Sequence, residues 1–284
     1  MSNWRPFPYG DRAYRYSGDA LRGAWPRLHR GDREPFPSRQ AVEVRLSGAP
    51  ELATDPSDPE RIALRLQDAW RAFHAGDFAS AVQGGIALGP IGCVVAARAT
   101  LVHTVYLEES EQRQLAILND VARHCEALLA RVEDWPNAWY VHALSMGYGA
   151  RLVSVVKALA TGLGNKVRSS LEQVLRLDPG HVDAHIALGV FESEVVANLG
   201  SVAAAITFRA RRDSALEHFE TARRLAPDSA VAHLECARGL QRMYGQERSR
   251  EVFDLYEQAA ACQPADARER MDVERARLHL ETEV

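Results

Sequence analysis

Histidine is the side chain that changes charge nearest neutral pH, and three of the ten histidines in this sequence fall on a repeating frame. His142, His185 and His233 each stand six residues after a proline, at Pro136, Pro179 and Pro227. Equivalent sites on successive helices lie about 8–10 Å apart, whereas a metal sits about 2 Å from each ligating nitrogen. One ion therefore cannot be shared among the three. They are read either as half-buried packing histidines with local hydrogen bonds or as a polar ladder lining a cavity or groove. A second pattern is His181-x3-His185, with Asp183 between. Two imidazoles at i and i+4 can hold a metal from one helix face. No HExxH glutamate lies between them, and Asp183 in a first helical turn suits the positive end of the helix dipole. No metal is assigned.

Lys157 shares a helical face with Val153, Ala160 and Gly164, which is small and apolar. A lysine there needs a carboxylate, and Glu192 or Glu194 is the candidate. Ligand contact and simple exposure are the other readings of Lys157. Nucleophile and phosphate motifs are missing: there is no GxSxG, no Walker loop and no GxGxxG after a strand. The glycines of ATGLGNK precede a helix but follow no strand. No cofactor is called for. If the chain is an enzyme, its site is expected where His142, His185, Lys157 and Glu192 converge, because enzymes gather perturbed titratable groups in one cleft.

Residues 59–284 supply the elements that would position these groups. Apolar residues recur there at three- and four-residue steps, the period of a helix. Residues 1–58 differ. They carry seven of the thirteen prolines and the aromatics Trp4, Phe7, Tyr9, Tyr14, Tyr16, Trp25 and Phe36. Residues 1–40 hold eight arginines against four acids, a charge of +4 that leaves −8 for the rest of a chain with net charge −4. The segment reads either as an extended arm that lies on the helical body through its rings, most ordered at Trp4–Tyr16 and Trp25–Phe36 and looser at Ser47–Ser57, or as a mobile tail. The alternating AVEVRL at Ala41–Leu46 adds the reading of a short strand. The arm could also clasp a second copy of the chain into a homo-oligomer.

The weak overall charge gives no field for nucleic acid or an anionic membrane. No uninterrupted apolar run of 18 residues marks a membrane span. Cys93, Cys125, Cys236 and Cys262 are far apart and show no CxxC, which favours reduced thiols over a disulfide frame or a zinc knuckle. MSNWRPFPYG has no apolar core for a signal peptide and no lipid-attachment cysteine, so a cytoplasmic location is expected.

Tetratricopeptide (TPR) units carry W-x2-L-G-x2-Y in a first helix and A-x3-F in a second, with proline at the turn. Ala215, Phe219, Ala222 and Pro227 follow the second half, and the same frame gives Val252, Tyr256, Ala259 and Pro264, then Val167, Leu171, Val174 and Pro179. A poorer copy ends at Pro136. HIALGV places Leu188 and Gly189 in the L-G slots, and the three framed histidines lie at or near the tryptophan slot. The proline spacings of 43, 48 and 37 exceed the 34 residues of a plain TPR, most of all around Phe191–Arg212. The expected fold is all-α: TPR-like helical hairpins in a closed-in superhelix with a cavity, ending in the charged helix ADARERMDVERARLHLETEV.

From Trp135 to about Ala276, the runs WPNAWYVHAL, GYGARLVSVVKALATGLGNKVRSSLEQVLRLDPGHVDAHIALG, ALEHFETARRLAPDSAVAHLECARGL and PADARERMDVERARLHL resemble a bacterial family of expanded TPR-like proteins. That family includes the T component associated with TRAP transporters. Glu192, Ser193 and Glu194 stand where the family tends to have His–Ala–Glu. The resemblance implies an all-helical bundle with a cavity and a role in binding. The expected function is that of an adaptor or scaffold for a protein, a peptide or an apolar small molecule, with Lys157, His142, His185, His233, Glu192, Glu194 and Asp183 as the candidate contact residues.

Overall fold

The computed structural model describes residues 4–10, 13–153 and 161–282. Among them are fourteen α-helices and no strand. They form two compact units, Met1–His29 with Arg33–Leu163, and Arg30–Asp32 with Gly164–Val284.

In the first unit, α1 (Ala20–Leu28) and α2 (Arg39–Gly48) are followed by α3 (Pro59–His74), α4 (Phe78–Ile86), α5 (Cys93–Leu107), α6 (Glu111–Leu129) and α7 (Pro136–Arg151). Helices adjacent in sequence pack on one another from α2 to α7. Side-chain caps set several starts: Asp58 accepts from Arg61 N–H at 2.9 Å and Asp77 from Ser80 N–H at 3.1 Å, satisfying amides that a helix cannot pair internally. Trp70, Phe73, Phe78 and Leu118 are fully buried. The stretch Pro90–Leu107 is long and apolar enough to cross a membrane by composition, but most of it is buried inside this unit. Arg98 within it is buried, with its guanidinium over the Tyr140 ring.

The proline-rich segment, expected to run extended, contains two helices, α1 and α2. Leu21 and Trp25 of α1 lie one turn apart on a buried face, as do Val42 and Leu46 of α2. The strand read at Ala41–Leu46 is therefore helix. AVEVRL satisfies both periods, since Val42 and Leu46 also sit four apart, and Val44, the middle of the alternation, is 69% exposed. Ser38 decides between them by accepting the Ala41 N–H at 3.1 Å as an N-cap. The segment is tied down by polar bonds as well as rings. Tyr16 and Gly18 carbonyls accept from Arg71, the Pro37 carbonyl accepts from Gln67, and Trp25 Nε1–H donates to Glu34 O. Trp25 meets Trp70 edge-on at 5.8 Å. The stretch expected to be looser holds Leu52 and Ala53, both buried.

The second unit contains α8 (Leu163–Leu177), α9 (Val182–Leu199), α10 (Ser201–Phe208), α11 (Arg212–Leu225), α12 (Ala230–Tyr244), α13 (Ser249–Ala261) and α14 (Ala267–Thr282). Pro179, Pro227 and Pro264 lie in the turns before α9, α12 and α14. Leu171, Phe219 and Tyr256 are buried in successive second helices, as the frame requires. Phe219 is held between glycines of two first helices. A Cβ built on Gly189 would stand 2.7 Å from its ring, and one on Gly239 2.5 Å. The large spacing of this repeat is accounted for: α9 runs on to Leu199, Gly200 turns the chain at φ +78°, and α10 is inserted before α11. Val196, Ala204, Phe208 and Ala210 bury its inner side.

Candidate functional site

One polar interaction recurs at the start of three first helices. The N-caps of α7, α9 and α12 are Trp135, His181 and Ser229. Four residues further on stand Trp139, His185 and His233, and each ring nitrogen meets the carbonyl two residues before its N-cap. Trp139 Nε1–H donates to Glu133 O at 2.9 Å, His185 Nε2–H to Pro179 O at 3.1 Å and His233 Nε2–H to Pro227 O at 2.8 Å. A carbonyl can only accept, so both histidines carry their proton on Nε2. The bond closes the turn into each helix from the ring side, the polar counterpart of a hydrophobic staple.

The register of His142 is thereby corrected. Pro136 is the first residue of α7, where a missing N–H costs nothing, whereas Pro179 and Pro227 precede their N-caps by two residues. His142 is thus one turn further along its helix than His185 and His233. Its Nε2 is 3.4 Å from Glu126 Oε1. Trp139 is the true equivalent, a tryptophan in the tryptophan slot.

The two histidines differ at their second nitrogen. His185 Nδ1 accepts from His218 Nδ1–H of α11 at 2.9 Å. Burial holds both imidazoles below the usual histidine range, and His218, also facing His185 and Arg168, is lowered to about 4. A histidine whose folded pKa is depressed takes up its proton in the unfolded chain first. Stability therefore falls as pH drops from about 6.5 toward 4. Replacing His218 with asparagine keeps a donor and removes the titration. Between pH 7 and 4.5 the His218→Asn protein is expected to lose about 2 kcal/mol less stability than the parent, allowing for partial solvent screening. Urea unfolding at the two pH values reads this directly, and equal losses would contradict the assignment.

Glu192 is fully buried and paired with an arginine. Its Oε1 accepts from Arg168 Nη1 of α8 at 3.0 Å, and its Oε2 from the Arg211 amide at 3.4 Å. The same Arg168 Nη1 donates to Phe208 O at 2.9 Å, and Nε to Glu172 at 2.8 Å. One guanidinium therefore ties α8, α9 and the end of α10 together. Glu194 lies 3.5 Å from Arg242. Lys157 falls outside the described residues. Asp183 is buried in the first turn of α9; its amide donates to Gly31 O at 3.0 Å, and Arg268 Nη1 lies 3.6 Å from its carboxylate. His181 caps that helix, its Nδ1 accepting from Ala184 N–H at 3.1 Å. The two members of the His181–His185 pair are thus engaged in different bonds.

Trp139, His218 and Arg168 escaped the sequence reading. Trp139 was legible in WPNAW once proline is allowed at the first helical position. His218 and Arg168 carry no signal of spacing, because their partners come from other helices.

The inserted α10 has a second face. Val202 and Ile206, one turn apart, are 75% and 79% exposed, among the most exposed large apolar residues described. The exposed arginines Arg209, Arg211 and Arg212 follow directly. Arg209 ends the helix in the left-handed conformation at φ +54°.

No protein-family model and no curated protein matches the sequence. Solved structures do match. The crystal structure of TTC0263, a thermophilic TPR protein of Thermus thermophilus, aligns with 76% of this chain and 99% of its own, at 19% identity and a TM-score of 0.55. With buried second-helix residues and ring bonds in register, the chain has the all-α fold of a TPR-like helical repeat protein.

Proposed function

We propose that this chain works by binding rather than by catalysis, as a scaffold whose partner is a protein segment both apolar and acidic. The observation that carries the reading is the inserted helix α10. It presents Val202 and Ile206 to solvent beside three exposed arginines, while its inner side and its last carbonyl are fixed by Phe208 and Arg168. An apolar ridge on a well-anchored helix loses little entropy on docking. Adjacent cations select carboxylates and reject basic competitors. Two of the groups that would have served an active site are committed elsewhere: His185 to Pro179 and His218, and Glu192 to Arg168.

Peptide pools test the proposal. Pools alternating leucine or phenylalanine with glutamate are expected to bind the chain by fluorescence anisotropy, and matched pools with lysine for glutamate are not. Ile206→Asp is expected to weaken binding at least about tenfold, since burying an isoleucine contributes about 1.5–3 kcal/mol. The melting temperature should stay unchanged, because the side chain is exposed. Equal binding by both pools, or by the Ile206→Asp protein, would overturn the reading.

A further inference from the structure

We propose that Cys93 and Cys125 form a reversible dithiol–disulfide site, closed by hydroperoxides and reopened by small thiols. The two residues are far apart in sequence, and the fold brings them together. Cys93 is the first residue of α5, directly after the Pro90–Gly92 turn. Cys125 lies on α6, fully buried with Ala97, Leu101, Leu118, Val121 and Val141, and Cys93 packs against the same cluster. Both are free thiols, hydrogen-bonded to one another.

The pair is asymmetric in the way a peroxide-reactive dithiol requires. Cys93 keeps part of its surface open to solvent, while Cys125 has none. The hydrogen bond from Cys125 lowers the Cys93 pKa, and Cys93 also sits at the positive end of the α5 dipole. The same bond and burial push the Cys125 thiol well up. Cys93 is thus the attacking sulfur and Cys125 the resolving one. By contrast, burial pushes the Cys236 thiol up to about 11.

The chemistry balances in two steps. The Cys93 sulfur attacks the hydroperoxide, breaking the O–O bond, to give a sulfenic acid and an alcohol (water, when the oxidant is hydrogen peroxide). The Cys125 sulfur then attacks the sulfenic sulfur; the S–S bond forms, the S–O bond breaks, and the hydroxyl leaves with the Cys125 proton as water. Two electrons pass from the sulfurs to the peroxide. A disulfide S–S distance of about 2.05 Å is shorter than a thiol contact, so the start of α5 must draw toward α6. That movement falls at the junction between the short 3-10 helix Pro90–Gly92 and α5, directly before Cys93.

The test uses the full chain and hydrogen peroxide. After treatment, intact mass is expected to fall by two hydrogens. Peptide mapping without reductant should recover Cys93 joined to Cys125, and dithiothreitol should restore both thiols. Because the bond closes a loop spanning α5 and most of α6, the melting temperature should rise by about 5 °C or more. In Cys93→Ser, Cys125 should remain alkylatable after the same treatment. Two results would overturn the proposal: Cys93 advancing to sulfinic acid while Cys125 still alkylates, or both thiols still alkylating after exposure.

Discussion

Phe219→Ala is expected to lower the unfolding free energy by about 3–5 kcal/mol, the range for deleting a buried aromatic ring. The expectation is specific to how the ring is held. It is fully buried and stands where a side chain on Gly189 or Gly239 would otherwise project. The ring bridges α9 and α12, and removing it leaves a cavity that neither glycine can fill. A companion substitution separates this packing from generic core loss. Gly239→Ala alone should cost about 1–3 kcal/mol through overpacking. In the Phe219→Ala background the added methyl has room, so its cost should largely disappear, an interaction visible in a double-mutant cycle. Strictly additive denaturation midpoints would show that the glycines do not hold the ring.

A comparable effect is expected at Glu192. Truncating it to alanine leaves the Arg168 guanidinium, itself only 14% exposed, without its buried counter-ion. Breaking one side of such a pair typically costs about 3–5 kcal/mol, whereas replacing both members with apolar residues of similar volume is often close to neutral. Glu192→Ala should therefore be the most damaging single change around α10, and Arg168→Met with Glu192→Leu should recover most of the loss. Arg168 also holds the Phe208 carbonyl, so trypsin is expected to cut the Glu192→Ala protein sooner at Arg209 and Arg211. If the single and double variants unfold at the same denaturant concentration, the pair is not what holds α10 in place.

The hairpins were legible because their signal is local. Prolines at 179, 227 and 264 mark true turns, and the apolar frame between them fixes Leu171, Phe219 and Tyr256 as core. Pro136 misled for an equally local reason: proline is tolerated both before a helix and as its first residue, and the two placements differ by three positions. The two helices of the N-terminal segment were missed because a short helix needs only two apolar residues on its buried face. Leu21 with Trp25, and Val42 with Leu46, are too few to establish a period among prolines. Glu192 entered the sequence reading only as a candidate carboxylate for Lys157, because a sequence does not say which helix will bring a cation to it. That Arg168 meets Glu192 is a tertiary fact.

The ring bonds at Trp139, His185 and His233 imply a rule about which substitutions a lineage could accumulate. Tryptophan and histidine both offer an N–H to the turn carbonyl, and phenylalanine does not, so the slot selects for a donor rather than for aromaticity. At 139 and 233 the exchange of one for the other is a private matter. The frame that aligns Ala215 with Val252 makes Leu255 the equivalent of His218, and the second nitrogen of His233 has no hydrogen-bond partner among the described residues. At 185 the second nitrogen is claimed by His218. A tryptophan there would strand that donor. Among homologues, positions 185 and 218 should therefore mutate in concert, while 139 and 233 drift alone.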